Sequence, residues 1–168
     1  GSSQSDTAGT GLALLPFLGD GETHKQGTHK DLVGRGITWL VTHQKPDGDL
    51  FTGGQDIARM YSHGIATIAL CECYGMSGDA SLRGPAQRAI DFIVAAQDPN
   101  TGGWRYRPRD GGDTSVLGWQ VMALKSGQMA ELNVPQNTLK EAERWLQSIA
   151  GKGDRVGQFA YQGGRFNP

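Results

Sequence analysis

Four aspartates fall in turns of the chain: Asp47, Asp49, Asp110 and Asp113. Paired carboxylates can divide acid and base work across a scissile bond, as in sugar hydrolysis. Asp110 and Asp113, in Arg109-Asp-Gly-Gly-Asp-Thr114, are the candidate catalytic pair. A plainer reading makes Asp113 the N-cap of a following helix and Asp110 a solvated loop acid. Just upstream, Trp104-Arg-Tyr-Arg-Pro-Arg109 interleaves three arginines with two aromatics. Trp104, Arg105, Tyr106 and Arg107 are therefore candidate binding residues for an anion or a peptide. Arginines stacked on the two rings would instead brace the turn. His63 opens an apolar segment and is a further binding candidate, with helix capping or surface exposure as the alternative. Trp119 completes the binding set.

The remaining reactive types offer less. Cys71 and Cys73 are two apart in a helix-like stretch and point to different faces, a poor geometry for a disulfide. Buried, unreactive thiols are the default reading. No C-x-x-C or H-x3-H spacing occurs, so no metal site is expected. No phosphate loop, nucleotide fingerprint or Ser-His-Asp order is present, and no cofactor is expected. His24, His29 and His43 lie in or beside loops and read as surface residues.

The elements that must position these groups repeat. Trp39, Phe92 and Trp145 recur at intervals of 53 residues. The apolar set Leu139, Ala142, Leu146 and Ile149 maps back by the same interval onto Ala86, Ala89, Ile93 and Ala96. That is one amphipathic helix seen twice in one phase, with a degraded copy at Val33, Gly36, Leu40 and His43. A second helix type alternates with it. Segments 11–18, 64–71 and 118–125 align on Gly11, Gly64 and Gly118 and are apolar around more of their circumference. They read as inner helices, and the amphipathic ones as outer helices. Each unit is an αα-hairpin, over about 6–53, 54–111 and 112–168. Pro16, inside the first inner helix, predicts a kink or an early end. Asp6-Thr7 and Asp113-Thr114 suit N-caps, and Pro85 suits a first turn.

Composition bounds the rest. The 168 residues carry 16 Lys+Arg against 17 Asp+Glu, and 37% are hydrophobic. One domain with a real core fits that length. A net charge of −1 excludes a broadly basic surface built for nucleic acid. No run of about 18 apolar residues exists to span a membrane. The 26 glycines cluster between patterned apolar segments and read as punctuation. Gly1-Ser2 reads as a cloning scar, so the native N-terminus is expected to be absent. Localisation is left open, with the cytoplasm leaned towards because the two cysteines tolerate reducing conditions.

Each outer helix is followed by a recurrent turn. Gln44-Lys-Pro-Asp-Gly48-Asp-Leu50 is Q-x3-G-x-L, and Gln97-Asp-Pro-Asn-Thr-Gly102-Gly-Trp104 is Q-x4-G-x-W. The third copy has Ala150 in place of Gln and keeps Gly157-Gln158-Phe159. A glutamine at a helix end can bond free backbone groups of a neighbouring helix, a flat aromatic can stack over its amide, and the glycine permits a tight return.

This pattern resembles the QW motif of the terpenoid-cyclase and protein-prenyltransferase superfamily. The stretch Asp113–Gly127 looks like the next inner helix of squalene–hopene-cyclase-like proteins, closest to bacterial proteins with prenyltransferase and squalene-oxidase repeats. The resemblance implies an all-α fold, an α/α toroid in which inner helices ring an axis and outer helices surround them. Complete toroids of this family have about six hairpins. Three units make half a ring, an open arc, and the ending Gly163-Gly-Arg-Phe-Asn-Pro168 favours a fragment of a longer protein. Such an arc expects either the missing hairpins of a parent chain or a homodimer that closes the ring.

The resemblance implies less about activity. Protonating cyclases carry a D-x-D-D motif, of which Asp110-Gly-Gly-Asp113 is the nearest match and lacks the central acid. Prenyltransferase subunits bind zinc through Asp, Cys and His, a set this chain does not space correctly. The expectation is a squalene-cyclase-like repeat module of unassigned activity, binding a protein or carbohydrate partner. The alternative is part of a terpene cyclase or prenyltransferase-like enzyme acting on an isoprenoid.

Overall fold

The computed structural model of the chain, described for residues 5–163, contains six α-helices. Gly1-Ser2 and residues 164–168 lie outside that range, and so do the expectations that rest there. The helices are α1 (Asp6–Gly19), α2 (Lys30–Thr42), α3 (Arg59–Ser77), α4 (Ala80–Ala96), α5 (Thr114–Met129) and α6 (Gln136–Ile149). Short 3₁₀ turns precede α3 (Asp56–Ala58) and follow α6 (Gly153–Arg155). Among the described residues, β-structure is confined to two isolated bridges, Asp113 with Gln162 and Ala150 with Phe159. The protein is all-α, and none of these helices is long and apolar enough to cross a membrane.

The helix α3 sits at the centre, packed between α1 and α5. Its sequence dictates this: residues from Met60 to Cys73 are apolar or small on nearly every side, and twelve of its positions are buried. The amphipathic helices form a second layer. α2 lies against α1 and α3, α4 against α3 and α5, and α6 against α5. Glycine sets the spacing of the central layer. A Cβ on Gly11 would sit 3.0 Å from the backbone of Ala66, and one on Gly64 would sit 2.7 Å from Gln120 Nε2. The Gln120 amide uses that room to donate to Met60 O at 2.9 Å. Gly118, the third of this set, has nothing within 4 Å of its would-be Cβ.

The glutamine turns join the outer helices. Gln44 Nε2 donates to Gly48 O in its own turn (3.1 Å) and to Pro85 O of α4 (2.9 Å). Gln97 Nε2 donates to Gly102 O (2.8 Å) and to Thr138 O of α6 (2.9 Å). In each case the receiving carbonyl lies 41 residues on. Both turn glycines have positive φ and press on the next helix. Added Cβ atoms would fall 2.1 Å from Arg88 O at Gly48 and 2.5 Å from Glu141 O at Gly102.

Several local expectations need correction. α1 runs through Pro16 and ends three residues later at Gly19: the ring removes the one bond that its amide would give to Leu12 O, and the last turn is still closed by Asp20 N on Pro16 O (3.0 Å). Asp6 is the first residue of α1 rather than its cap. Ser5 holds the cap position, and Thr7 Oγ1 instead donates to Leu50 O (2.8 Å). α4 begins at Ala80, capped by Asp79 through Ser81 N (3.0 Å), so Pro85 lies in its second turn. The buried stripe of α6 centres on Thr138, Ala142, Trp145 and Ile149, leaving Leu139 and Leu146 half-buried. Trp145 turns inward because Gly103 and Gly112 leave room for its ring. In the third turn Thr114 Oγ1 donates to Ala160 O (2.7 Å). Ala160 therefore takes the buried place that Leu50 holds in the first, and Phe159 is exposed.

Candidate functional site

The loop 104–113 is pinned at both ends. Arg109 N donates to Ala96 O at the end of α4 (2.9 Å), and Asp113 N to Trp104 O (3.0 Å). This brings Arg105 and Tyr106 beside the first turns of α3 and α5. Asp113 caps α5: its Oδ1 accepts from Val116 N and Ser115 Oγ, both at 2.9 Å. The carboxylate is fully buried, and its other oxygen, Oδ2, has no hydrogen-bond partner. Arg105 Nε lies 4.0 Å from that oxygen and is likewise buried and unpartnered. A direct charge-assisted bond would need about 2.7–2.9 Å, so the pair is set apart by a little more than contact.

Three phenols surround this pair. Ser115 Oγ lies between Tyr61 OH (2.5 Å) and Tyr161 OH (3.0 Å), and Tyr106 OH is 3.5 Å from Tyr161 OH. Tyr161 is placed there because Thr114 N donates to its carbonyl (2.9 Å). Burial pushes the Tyr61 hydroxyl up to about 12. Tyr106 is raised by its hydrogen bond to Tyr161 and by burial. Tyr161 moves the other way, lowered by hydrogen bonds from Ser115, Tyr106 and Tyr61. The Arg105 guanidinium stands 5.0 Å from the centre of the Tyr106 ring, within cation–π range. The cluster thus offers aromatic faces, phenol hydroxyls and a partly exposed guanidinium, set around a carboxylate that is itself buried.

The sequence candidates divide. Arg105, Tyr106 and Asp113 come together here. Asp110 is exposed in the loop, away from the buried carboxylate. Arg107 pairs with Asp56 and Arg109 Nε donates to Ala95 O (3.3 Å), so these two arginines brace the turn. Trp104 is sealed in the core, its Nε1 donating to Ile93 O (2.8 Å), and presents nothing to a ligand. Trp119 is half-buried on α5 against the core.

His63 is also a correction: it neither caps a helix nor faces solvent. It is fully buried, with Nδ1 accepting from Leu50 N (3.1 Å) and Nε2 donating to Ala89 O (3.0 Å). Burial drives its pKa down to about 4, so the ring is neutral. Nearby, Asp49 is buried yet ionised. Burial opposes its charge, but Lys45 (2.7 Å), the Phe51 amide (2.9 Å) and Arg59 (2.9 Å) outweigh that and lower its pKa. Asp49 is a structural ion cluster, and Asp47 is exposed beside it, accepting from Asp49 N.

The sequence reading missed Tyr61, Ser115 and Tyr161. Their only signal was position: two open inner helices, and the third lies in an aperiodic tail. It also missed a Cys–His–Asp line. His24 Nδ1 is 3.1 Å from Cys73 Sγ, and its Nε2 is 2.7 Å from Asp79 Oδ2. The order matches nucleophile, base and orienting acid. Cys73 is nevertheless fully buried, and burial raises its thiol pKa, which disfavours the thiolate. His24 therefore clamps the loop after α1 to α3 and to the cap of α4, and is not the surface residue expected. Cys71 is likewise buried, its thiol pushed up to about 12. Among the described residues no group of three His, Cys, Asp or Glu side chains is placed to hold a metal ion.

No family model, no curated protein and no solved structure matches the chain.

Proposed function

We propose that the chain is a squalene-cyclase-like α/α-toroid repeat module, an arc of three hairpin units, that binds a carbohydrate partner at the end where α3 and α5 begin. The observation that carries this reading is the pair Asp113 Oδ2 and Arg105 Nε, desolvated, facing each other and unbonded. A buried acceptor and a buried donor left open cost stability unless something else uses them. A sugar hydroxyl, which donates and accepts at once, suits both atoms, and it reaches them when the Arg105 side chain, 37% exposed, swings away from the carboxylate. Tyr106 and the exposed Tyr161 supply aromatic faces beside them for the apolar face of a sugar ring. A module of this kind uses the site for recognition and not for turnover.

The test is titration of the full chain with neutral and uronate-bearing oligosaccharides, followed by amide chemical shifts. Shifts confined to Tyr61, Arg105, Tyr106, Ser115 and Tyr161, lost in Arg105→Ala, support the reading. No shift with any sugar, alongside shifts with a peptide ligand, would move the assignment to a protein partner.

The isoprenoid-enzyme alternative needs an acid on the wall of a deep apolar cavity. Two open grooves of similar size, about 940 Å³ along α1 and α2 between Leu14, Phe17, Leu32 and Trp39 and about 950 Å³ beside α2 and the start of α4, do not have Asp113 among their walls. Asp113→Asn separates the two readings. It abolishes turnover of an isoprenoid diphosphate or alkene in the enzyme case, and leaves a folded, non-turning module in the other.

A further inference from the structure

The groove along α1 and α2 has a second meaning, independent of any sugar site. Its residues can be compared with those one unit later. Ala13 is exposed, whereas Ala66 and Gln120, at the same place on α3 and α5, are fully buried. Leu32 is 46% exposed, whereas Pro85 and Thr138 are buried and accept the glutamine amides through their carbonyls. Trp39 is half-buried, whereas Phe92 and Trp145 are buried. Arg35 and Arg88, 53 residues on, are both exposed, and Arg88 uses its position to donate to Gln44 Oε1 (2.9 Å). At Ala66, Pro85, Gln120 and Thr138, what meets the second and third units is the unit before them, through Gly11, Gln44, Gly64 and Gln97. The first unit displays the same half-joint uncovered.

We propose that the α1/α2 face is the receiving half of one more inter-unit joint, filled by a further αα-hairpin whose outer helix ends in a Gln-x3/4-Gly turn. Its glutamine donates to Leu32 O and accepts from Arg35, its glycine lies against the Arg35 carbonyl, and its inner helix covers Ala13. The joint continues the one made twice already, by Gln44 with Pro85 and Arg88 and by Gln97 with Thr138. A second copy of this chain does not supply the piece. Gln44 and Gln97 are engaged within each copy, and the third unit carries Ala150 where the glutamine is needed.

The experiment lengthens the full chain by one hairpin. Residues 54–112 are duplicated ahead of Ser5, and in a second form residues 5–53 are duplicated there instead. Leu32→Cys in the original unit reports cover by its rate of maleimide alkylation, since both native cysteines are buried. The expected result is alkylation at least tenfold slower than in the unextended Leu32→Cys chain. Gln97→Ala in the added 54–112 copy, or Gln44→Ala in the added 5–53 copy, should restore much of the rate. The proposal is overturned if neither added unit shields Cys at position 32, or if shielding ignores the glutamine. It is also overturned if the unextended chain sediments as a dimer that Arg35→Glu dissociates, because the occupant is then a second copy.

Discussion

Asp113 Oδ2 and Arg105 Nε stand 4.0 Å apart, both out of solvent and both unpartnered, at the N-terminus of α5. The two oxygens of Asp113 are used unequally: Oδ1 holds the Val116 amide and the Ser115 hydroxyl, and Oδ2 is left for the sugar site proposed above. Substitution separates the two uses. Asp113→Ala removes the cap and should cost about 0.5–2 kcal/mol of stability. Asp113→Asn keeps a capping oxygen and should cost less, while both variants lose sugar binding. Urea denaturation and the oligosaccharide titration read the two effects separately.

The glutamine joints should behave as independent units. Each glutamine loses two hydrogen bonds to carbonyls when replaced by alanine, at about 0.5–1.5 kcal/mol apiece. Gln44→Ala and Gln97→Ala should each destabilise by about 1–3 kcal/mol. They share no partner, so the double variant should be additive to within about 0.5 kcal/mol. A larger non-additivity in chemical denaturation would show the joints to be coupled through α4.

The aligned glycines give opposite signs. Gly118 lies inside α5 with open space around it, so Gly118→Ala should stabilise by about 0.5–1 kcal/mol through helix propensity. Gly11 touches the backbone of α3, so Gly11→Ala should destabilise despite the same propensity gain. Gly48→Ala combines a positive φ with a 2.1 Å clash against Arg88 O and should cost more than about 2 kcal/mol. Thermal melts of the three variants settle the ranking.

Stability should fall on mild acidification. His63 is held neutral by burial, its pKa lowered from 6.5 to about 4. The unfolded chain binds that proton at its ordinary pKa and the folded chain does not. Stability is therefore complete above pH ~6.5 and is lost as pH falls towards about 4, by on the order of 3 kcal/mol. His63→Gln, whose amide can accept from Leu50 N and donate to Ala89 O, should flatten that window. An unchanged slope between pH 6.5 and 4 in His63→Gln would assign it elsewhere.

What the sequence made legible was whatever repeats. Trp39, Phe92 and Trp145 each fall in an amphipathic helix, α2, α4 and α6, and Gln44 and Gln97 each follow one and bond the next, so spacing alone located these elements. Groups that answer to partners from another unit carry no such mark. His63 looks like any histidine at a helix start until Leu50 N and Ala89 O close on its two nitrogens. His24 sits in a loop whose partners, Cys73 and Asp79, lie 49 and 55 residues away. Tyr161 follows the last helix, where periodicity has stopped, and is held at the site by the Thr114 amide and hydroxyl, which both donate to its carbonyl. Asp113 was legible as a cap, because capping is local, whereas its neighbour Arg105 needed the loop to be folded.

The contact both glutamine joints share is to a main-chain oxygen, at Pro85 and at Thr138, and only the first adds a side chain of the accepting helix, Arg88. The accepting helix is thereby free to drift in nearly every residue without losing its neighbour. Proline and threonine already serve equally well. Only the donor side, one amide and one glycine, must be inherited intact.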